Sequence, residues 1–340
     1  QISNNTENLS TTLTIRVGGD TTLKGSEIVN NNGSSAIKTE GNLNISGVNT
    51  MINNRGYADK DNFNYEKKQE DIGSVIQSVG DTRLQAENIT VKGSQISSKQ
   101  GSTILSAQQN IDISEGRKLS DTEQAFKVKE KSTFSKTVRQ GHVRNMSDEA
   151  IASTIDGKNV ILDANNIDIR GSNIVSDELT QIQAKENVTI TGAQNQYLNY
   201  SESSVKKSGL MSSGGIGFSV GSKKEKTEQE QIQHTNSASI VGSLNGTTNI
   251  IAGKIYQQTG STVSSQQGDV NILAQQVNIE AAKEQSTSDY KHEMEQKGLT
   301  LAVNVPVITA VQSVVESAKQ VGQSKNDRVN AMATANAGFD

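Results

Sequence analysis

The stretch GSQISSKQGSTILSAQQNIDI (residues 93–113) decides the fold. It is polar, holds no histidine or aromatic residue, and returns three times in rewritten form. GSEIVNNNGSSAIKTEGNLNI starts at Gly25, GSNIVSDELTQIQAKENVTI at Gly171 and GSTVSSQQGDVNILAQQVNI at Gly260, at intervals of 68, 78 and 89 residues. Just upstream, Leu84 and Ala86, then Ile89 and Val91, alternate with polar residues. After the Gly93–Ser94 turn the scheme restarts at Thr103, Leu105 and Ala107 and closes on Ile111 and Ile113. Leu84 to Leu105 is 21 residues, and Leu162 to Ile182 in the next unit is 20.

Period-two alternation makes strands with one buried face. A second period near 20, punctuated by Gly, Asn and Ser, makes solenoid turns. The pattern therefore predicts an all-β chain: a right-handed parallel β-helix of about 20 residues and three short strands per coil. Each GS unit covers about two coils. At least eight coils are expected, a rod on the order of 40 Å at one strand spacing per coil. Gly25, Gly93, Gly171 and Gly260 are read as coil-corner residues, where a positive φ suits glycine. Asn44, Asn110, Asn187 and Asn278 recur near turns. They are read as turn formers in preference to a side-chain ladder.

Composition agrees with a long, thin core. Hydrophobic residues make up 32% of the 340 residues and aromatics only 3%. There is no cysteine, which excludes disulfides and thiolate chemistry. The net charge of −4 gives no basic field for nucleic acid, so no nucleic-acid partner is expected. No run of 18 apolar residues or signal peptide is visible, and the sequence opens amid repeat-like material. The chain is read as an internal piece of a longer protein.

Between the repeats lie charged excursions near residues 52–79, 115–157, 193–247 and 282–305. The clearest, SESSVKKSGLMSSGGIGFSVGSKKEKTEQEQ (201–231), puts Ile216, Phe218 and Val220 on one face, with Leu210 on the opposite arm of a hairpin. In QAFKVKEKSTFSKTVRQGHV (124–143) the corresponding residues are Phe126, Val128, Phe134 and Val138. Lys206, Lys207, Lys223, Lys224 and Lys226 flank the first of these, as a solvated face or as partners for lipid phosphates. These eight apolar residues are the candidate membrane-interacting positions, and β-helix is expected over 1–305. Pro306 opens a helix whose stripe is Val307, Val311, Val314, Ala318 and Val321. It either covers the open end of the rod or connects onward, so 306–340 is read as helix and connector.

Catalytic signals are weak. His142, His234 and His292 are far apart in sequence and have no second ligand at metal-binding spacing. GGIGFSVGS fits neither nucleotide-binding fingerprint. Asp112 and Asp168 occupy equivalent outward positions but are read as lying on non-adjacent coils, which leaves no carboxylate pair. No enzyme activity, metal or cofactor is expected.

The pairing of such coils with charged, Gly-rich hairpins of the KKSGLMSSGGIGFSVGSKKEKTE kind (206–228) resembles filamentous-hemagglutinin repeats. It is most similar to the hairpin-decorated second repeat block of contact-dependent growth inhibition effectors, the CdiA-type two-partner secretion proteins. The resemblance covers residues 9 to about 305, and VNVPVITAVQSVVESAKQ (303–320) is similar to the segment that follows this block. The VENN-type pretoxin signature is absent, which places any toxin beyond Asp340. The resemblance implies export through an outer-membrane partner transporter and a location that is secreted or on the surface of a Gram-negative cell. It also implies a covalently continuous toxin domain, and association of this block with the outer membrane of a target bacterium, through lipid or an outer-membrane protein, to help toxin reach the periplasm. The competing reading is a structural shaft or adhesin stalk.

Overall fold

The computed structural model describes residues 1–4, 11–212, 218–301, 326–328, 330 and 332. The alternating stretches form short parallel strands wound into a three-faced solenoid, a parallel β-helix of eight coils among the described residues. The first face stacks Ile2–Asn4, Glu27–Asn30, Val75–Ser78, Gln95–Ser98, 154–157, 173–176, Ile240–Ser243 and Thr262–Ser265. The second and third faces follow in each coil, ending with Val270–Leu273 and Gln276–Glu280 in the eighth.

Register turns the sequence period into continuous apolar columns. On the first face Ile28, Ile76, Ile96, Ile155, Ile174 and Val241 lie one above another. On the second, Ile37, Leu84, Leu105, Leu162, Ile182 and Ile250 do the same. All twelve are at most 1% exposed. Aliphatic side chains make up almost all of the core, with Tyr256 on the third face an aromatic member, because each coil adds only a few residues to a core its neighbours continue. Beside the second column runs a buried line of hydroxyls, with Ser78 bonded to Ser35 at 2.7 Å and Ser98 bonded to both Thr82 and Thr103 at 2.9 Å.

Asparagines also stack. The amide of Asn88 donates to Asn42 at 2.8 Å, Asn110 to Asn88 at 3.0 Å, Asn166 to Asn110 at 3.2 Å and Asn187 to Asn166 at 3.0 Å. The turn-former reading is therefore corrected for Asn110 and Asn187, which belong to this ladder. Asn44 and Asn278 stay outside it, on outward rows of the third face.

One corner of the coil carries all the excursions. Coils one, three, five and seven turn it through Gly25, Gly93, Gly171 and Gly260, with φ of 53°, 54°, 50° and 53°. Glycine is required there twice over, since a Cβ on Gly171 would come within 2.4 Å of the Ala193 Cβ in addition to needing a left-handed backbone. Coils two, four and six leave the same corner as hairpins: Val48–Asp59 with Asn62–Ile72, Gly116–Lys131 with Ser135–Ile151, and Ala193–Ser212 with Phe218–Ser237. Gln285–Leu301 is a further arm after the eighth coil. Each hairpin root is closed by a serine on the returning chain. Ser74, Ser153 and Ser239 donate to the carbonyls of Ser46, Ser114 and Thr191 at 2.7, 2.6 and 2.7 Å.

The arms do not stand as separate ribbons. They pair side by side into one seven-stranded antiparallel sheet, in which 63–70 lies against 118–125, 135–148 against 196–209, and 218–234 against 285–301. The spacing explains why. Two coils advance the rod by about 9.6 Å, and a two-stranded hairpin is also about 9.6 Å wide. A hairpin on every second coil therefore fills its lane, and its outer strand meets the next hairpin at ladder distance.

The helix expected over 307–321 lies outside the described residues. The described part of the C-terminal segment has helical residues at Asp327, Arg328, Asn330 and Met332 and lies along the flank of the rod.

Candidate functional site

The most distinctive surface is the distal end of the hairpin sheet. Leu210 is opposite Val220, and Val220 opposite Leu299; the Leu210 N–H donates to the Phe134 carbonyl at 2.9 Å. Opposite residues share a face, so Leu210, Val220 and Leu299, from two excursions, form one row, and Phe134 of a third excursion adjoins it through that backbone bond. They are 47%, 53%, 82% and 73% exposed in the order Leu210, Val220, Leu299, Phe134. Val138 lies on the same face, two rows nearer the root, opposite Lys206. Phe126 and Val128 point to the other face, where the Phe126 ring covers Gly141. Ile216 is outside the described residues. Phe218 is placed by its backbone, paired with Ser212 and Leu301. Leu299 was not singled out from sequence, although GLTLAV carries the same alternation.

Immediately behind the apolar row comes a belt of lysines. Lys136 and Lys297 occupy the next row on that face, and Lys206 and Lys224 the row after it. Lys206 stands opposite Lys224, Lys207 opposite Lys223 and Lys131 opposite Lys136. Like charges facing each other across a ladder oppose pairing. Among the described residues Lys206 and Lys207 have no salt bridge, Lys224 faces Glu295 on its other side, and Lys223 is held by Glu225 at 2.7 Å.

Closer to the rod the charges are matched. Lys226 sits between Glu202 and Glu228 at 3.3 and 3.2 Å, and Arg144 grips Asp121 at 3.0 Å. The His142 ring pairs with Glu123 at 2.7 Å and meets Tyr200 edge-on at 5.3 Å. Burial first, then the carboxylates of Glu202 and Glu228, push the Tyr200 phenol well above its ordinary range, so it remains a donor to both. His234 and His292 lie on other strands of the sheet, on opposite faces. Among the described residues no three His, Cys, Asp or Glu side chains are grouped to hold a metal.

One sequence reading is overturned. Asp112 and Asp168 are register partners on adjacent coils, because the 55 residues between them are mostly hairpin. Burial, then the charge of Asp112, raises the Asp168 carboxyl above its ordinary range, and Arg170 acts against them. Arg170 itself is bound to the buried Glu115 at 2.9 Å. Both aspartates are exposed on an outward row of the third face.

A β-helix that sends a hairpin from every second coil into one lateral sheet defines the class: a hairpin-decorated β-solenoid repeat module. Residues 134–298 match the hemagglutinin repeat family. The chain is 30% identical over 244 residues to the tRNA nuclease CdiA of Yersinia mollaretii, covering 68% of this chain and 8% of that protein. It is 33% identical over 180 residues to the toxin CdiA of Yersinia pestis, covering 53% and 5%. It is 24% identical over 340 residues to the tRNA nuclease CdiA-2 of Burkholderia pseudomallei, covering 94% and 10%. The chain thus spans a tenth or less of each of these relatives. No solved structure matches. The chain belongs to the filamentous-hemagglutinin-type repeat regions of CdiA-type proteins.

Proposed function

We propose that this segment is a non-enzymatic part of a secreted growth-inhibition effector. The distal edge of its hairpin sheet associates with the outer membrane of a target bacterium and aids passage of a covalently continuous C-terminal toxin into the periplasm. The observation that supports this reading is the exposed Leu210–Val220–Leu299 row, adjoined by Phe134 and backed by a belt of lysines. Apolar side chains enter the acyl boundary while lysines meet headgroup phosphates. The names of the relatives, nucleases and a toxin, agree with a cargo carried elsewhere in such a protein.

Contact is proposed at the edge, not across the bilayer. Arms of 16 to 20 residues exceed the 9–11 or so that a spanning strand needs. Their root-ward parts carry Lys, Glu, Arg and Asp, and each cation placed at mid-bilayer costs about 2–4 kcal/mol.

Vesicle flotation tests the proposal. The chain is expected to float with vesicles containing anionic phospholipid and less with zwitterionic ones, and Leu210→Asp and Lys206→Glu should each weaken binding. A chain that stays at the bottom of the gradient with both vesicle types leaves the shaft or adhesin-stalk reading in its place.

A further inference from the structure

The outward row of the first face runs Ser97, Asp156, Val175, Gly242 and Ser264 over coils four to eight. Outward rows of a solenoid normally face water. Here Ser97, Asp156 and Val175 are 6%, 1% and 0% exposed. The cover comes from the C-terminal segment of the same chain, more than 150 residues away in sequence.

Asn326 starts a helical turn. Its side-chain oxygen accepts the Arg328 N–H at 3.0 Å, its carbonyl accepts the Asn330 N–H at 3.1 Å, and its amide donates to Asp156 at 2.8 Å. The Arg328 fork then closes on two carboxylates. Nη1 donates to Asp156 at 2.6 Å, while Nε and Nη2 each donate to Asp177 at 2.8 Å. Nη2 also reaches the Lys99 carbonyl at 2.9 Å. Met332, four residues on and so on the same side of the turn, is fully buried against Val175, Ile240 and Leu244. It lies over Gly242, where a Cβ would come within 2.9 Å of the Met332 Cε.

None of these bonds belongs to the coil ladder, which is complete beneath the segment. With the segment lifted, Asp156 and Asp177 would simply be hydrated surface acids. The rod thus does not need the segment, whereas the described residues of the segment are held by the Asn326 amide, the Arg328 guanidinium and the Met332 thioether.

We propose that residues 326–332 are a releasable strap, and that the first face of coils four to eight is its receptor, an acidic groove fitted to a helical turn presenting an arginine and an apolar residue four positions later. Docked, the strap covers the groove; released, it opens it. This inference is independent of the membrane reading.

The absence of cysteine allows a clean test on the full 340-residue chain. Val175→Cys places a thiol that only the strap covers. Its maleimide labelling should be slow, and should accelerate about tenfold or more when Arg328→Gln removes the charge-assisted fork, with Arg328→Lys intermediate. Hydrogen exchange at 326–332 in chains without the cysteine reports the same release independently, and thermal unfolding of the rod should stay unchanged. Labelling and exchange that are the same with and without the Arg328→Gln substitution would overturn the proposal. So would a matching loss of rod stability, which would make the segment a fixed staple. Protection that depends on protein concentration would assign the groove to a second copy and overturn the docking in cis.

Discussion

The match between coil pitch and hairpin width makes a sharp prediction about deletions. Removing residues 153–171 takes out the fifth coil and its Gly171 corner and joins Ala152 to Ser172, which can close the second hairpin root in place of Ser153. The rod should re-stack, because 173–176 presents to 95–98 the same inward isoleucine that 154–157 did. The second and third hairpins, however, would then be rooted about 4.8 Å apart instead of about 9.6 Å, while each remains two strands wide. They cannot share one plane, and the seam between 135–148 and 196–209 must open. That seam holds roughly fourteen ladder bonds, worth on the order of 10 kcal/mol at about 0.5–1.5 kcal/mol net each. Removing residues 94–171 instead takes out two coils and one hairpin and keeps the spacing, so 62–72 should pair directly with the 193–212 arm. Amide hydrogen exchange distinguishes the two chains. In the one-coil deletion, alternate amides of 135–148 and 196–209, those aimed at the seam, should lose protection while core strands keep theirs. Continued protection of those amides would refute the pitch argument.

Three further outcomes follow from the corner and the sheet. Gly171→Ala forces a side chain into a φ of 50° and against Ala193, and should destabilise the rod by at least the ~1–2 kcal/mol of the left-handed backbone alone, read as a lower melting temperature. Ser153→Ala leaves the buried Ser94 N–H without its acceptor, while the Ser114 carbonyl keeps the Gly93 N–H, and should cost about 1–3 kcal/mol, read by denaturant unfolding. In acid the sheet should fray before the rod. Hydrogen bonds from Lys68, Lys226 and Lys291 hold Glu66, Glu228 and Glu293 below their ordinary 4.5. Their stabilisation is therefore complete above that value and is lost as pH falls through the depressed range. These carboxylates are exposed, so the effect is small per pair and should appear as faster exchange in the arms with the columns of the rod unchanged.

What the sequence made legible was whatever is periodic. Leu84, Leu105 and Leu162 recur at coil spacing once the hairpins are set aside, and the glycines at 25, 93, 171 and 260 mark alternate corners. What it hid was adjacency across an excursion. Asp112 and Asp168 stack directly, yet the inserted arms between them made them look remote. The asparagine ladder was obscured in the same way: Asn110 donates to Asn88 one coil away, but receives from Asn166 across a whole hairpin. Pairing between hairpins was not legible at all, because it depends on the distance between roots, which no local pattern carries. The strap was hidden for a different reason, since Arg328 finds its carboxylate partners 151 and 172 residues upstream.

The graded length of the arms explains where the apolar row stands. The arms grow from 12 and 11 residues to 16 and 17 and then to 20 and 20. A tip level with its neighbours is a sheet end in water, and the first hairpin ends accordingly on Asp59, Lys60, Asp61 and Asn62. Register pairing with the second hairpin runs to Gly209 and ends on the Leu210 N–H bond to the Phe134 carbonyl; past that bond, among the described residues, the third hairpin pairs only with Gln285–Leu301. Leu210, Val220 and Leu299 sit at the start of that overhang, where antiparallel arms would ordinarily be least stable and most polar. A two-stranded ribbon alone is marginal in water, but here the rod fixes the roots and the sheet below fixes the register. The end of the sheet can then carry apolar residues, with facing lysines in the paired rows just behind them, that would unravel a free hairpin. On this argument the long paired base exists to hold a tip whose composition favours something other than water.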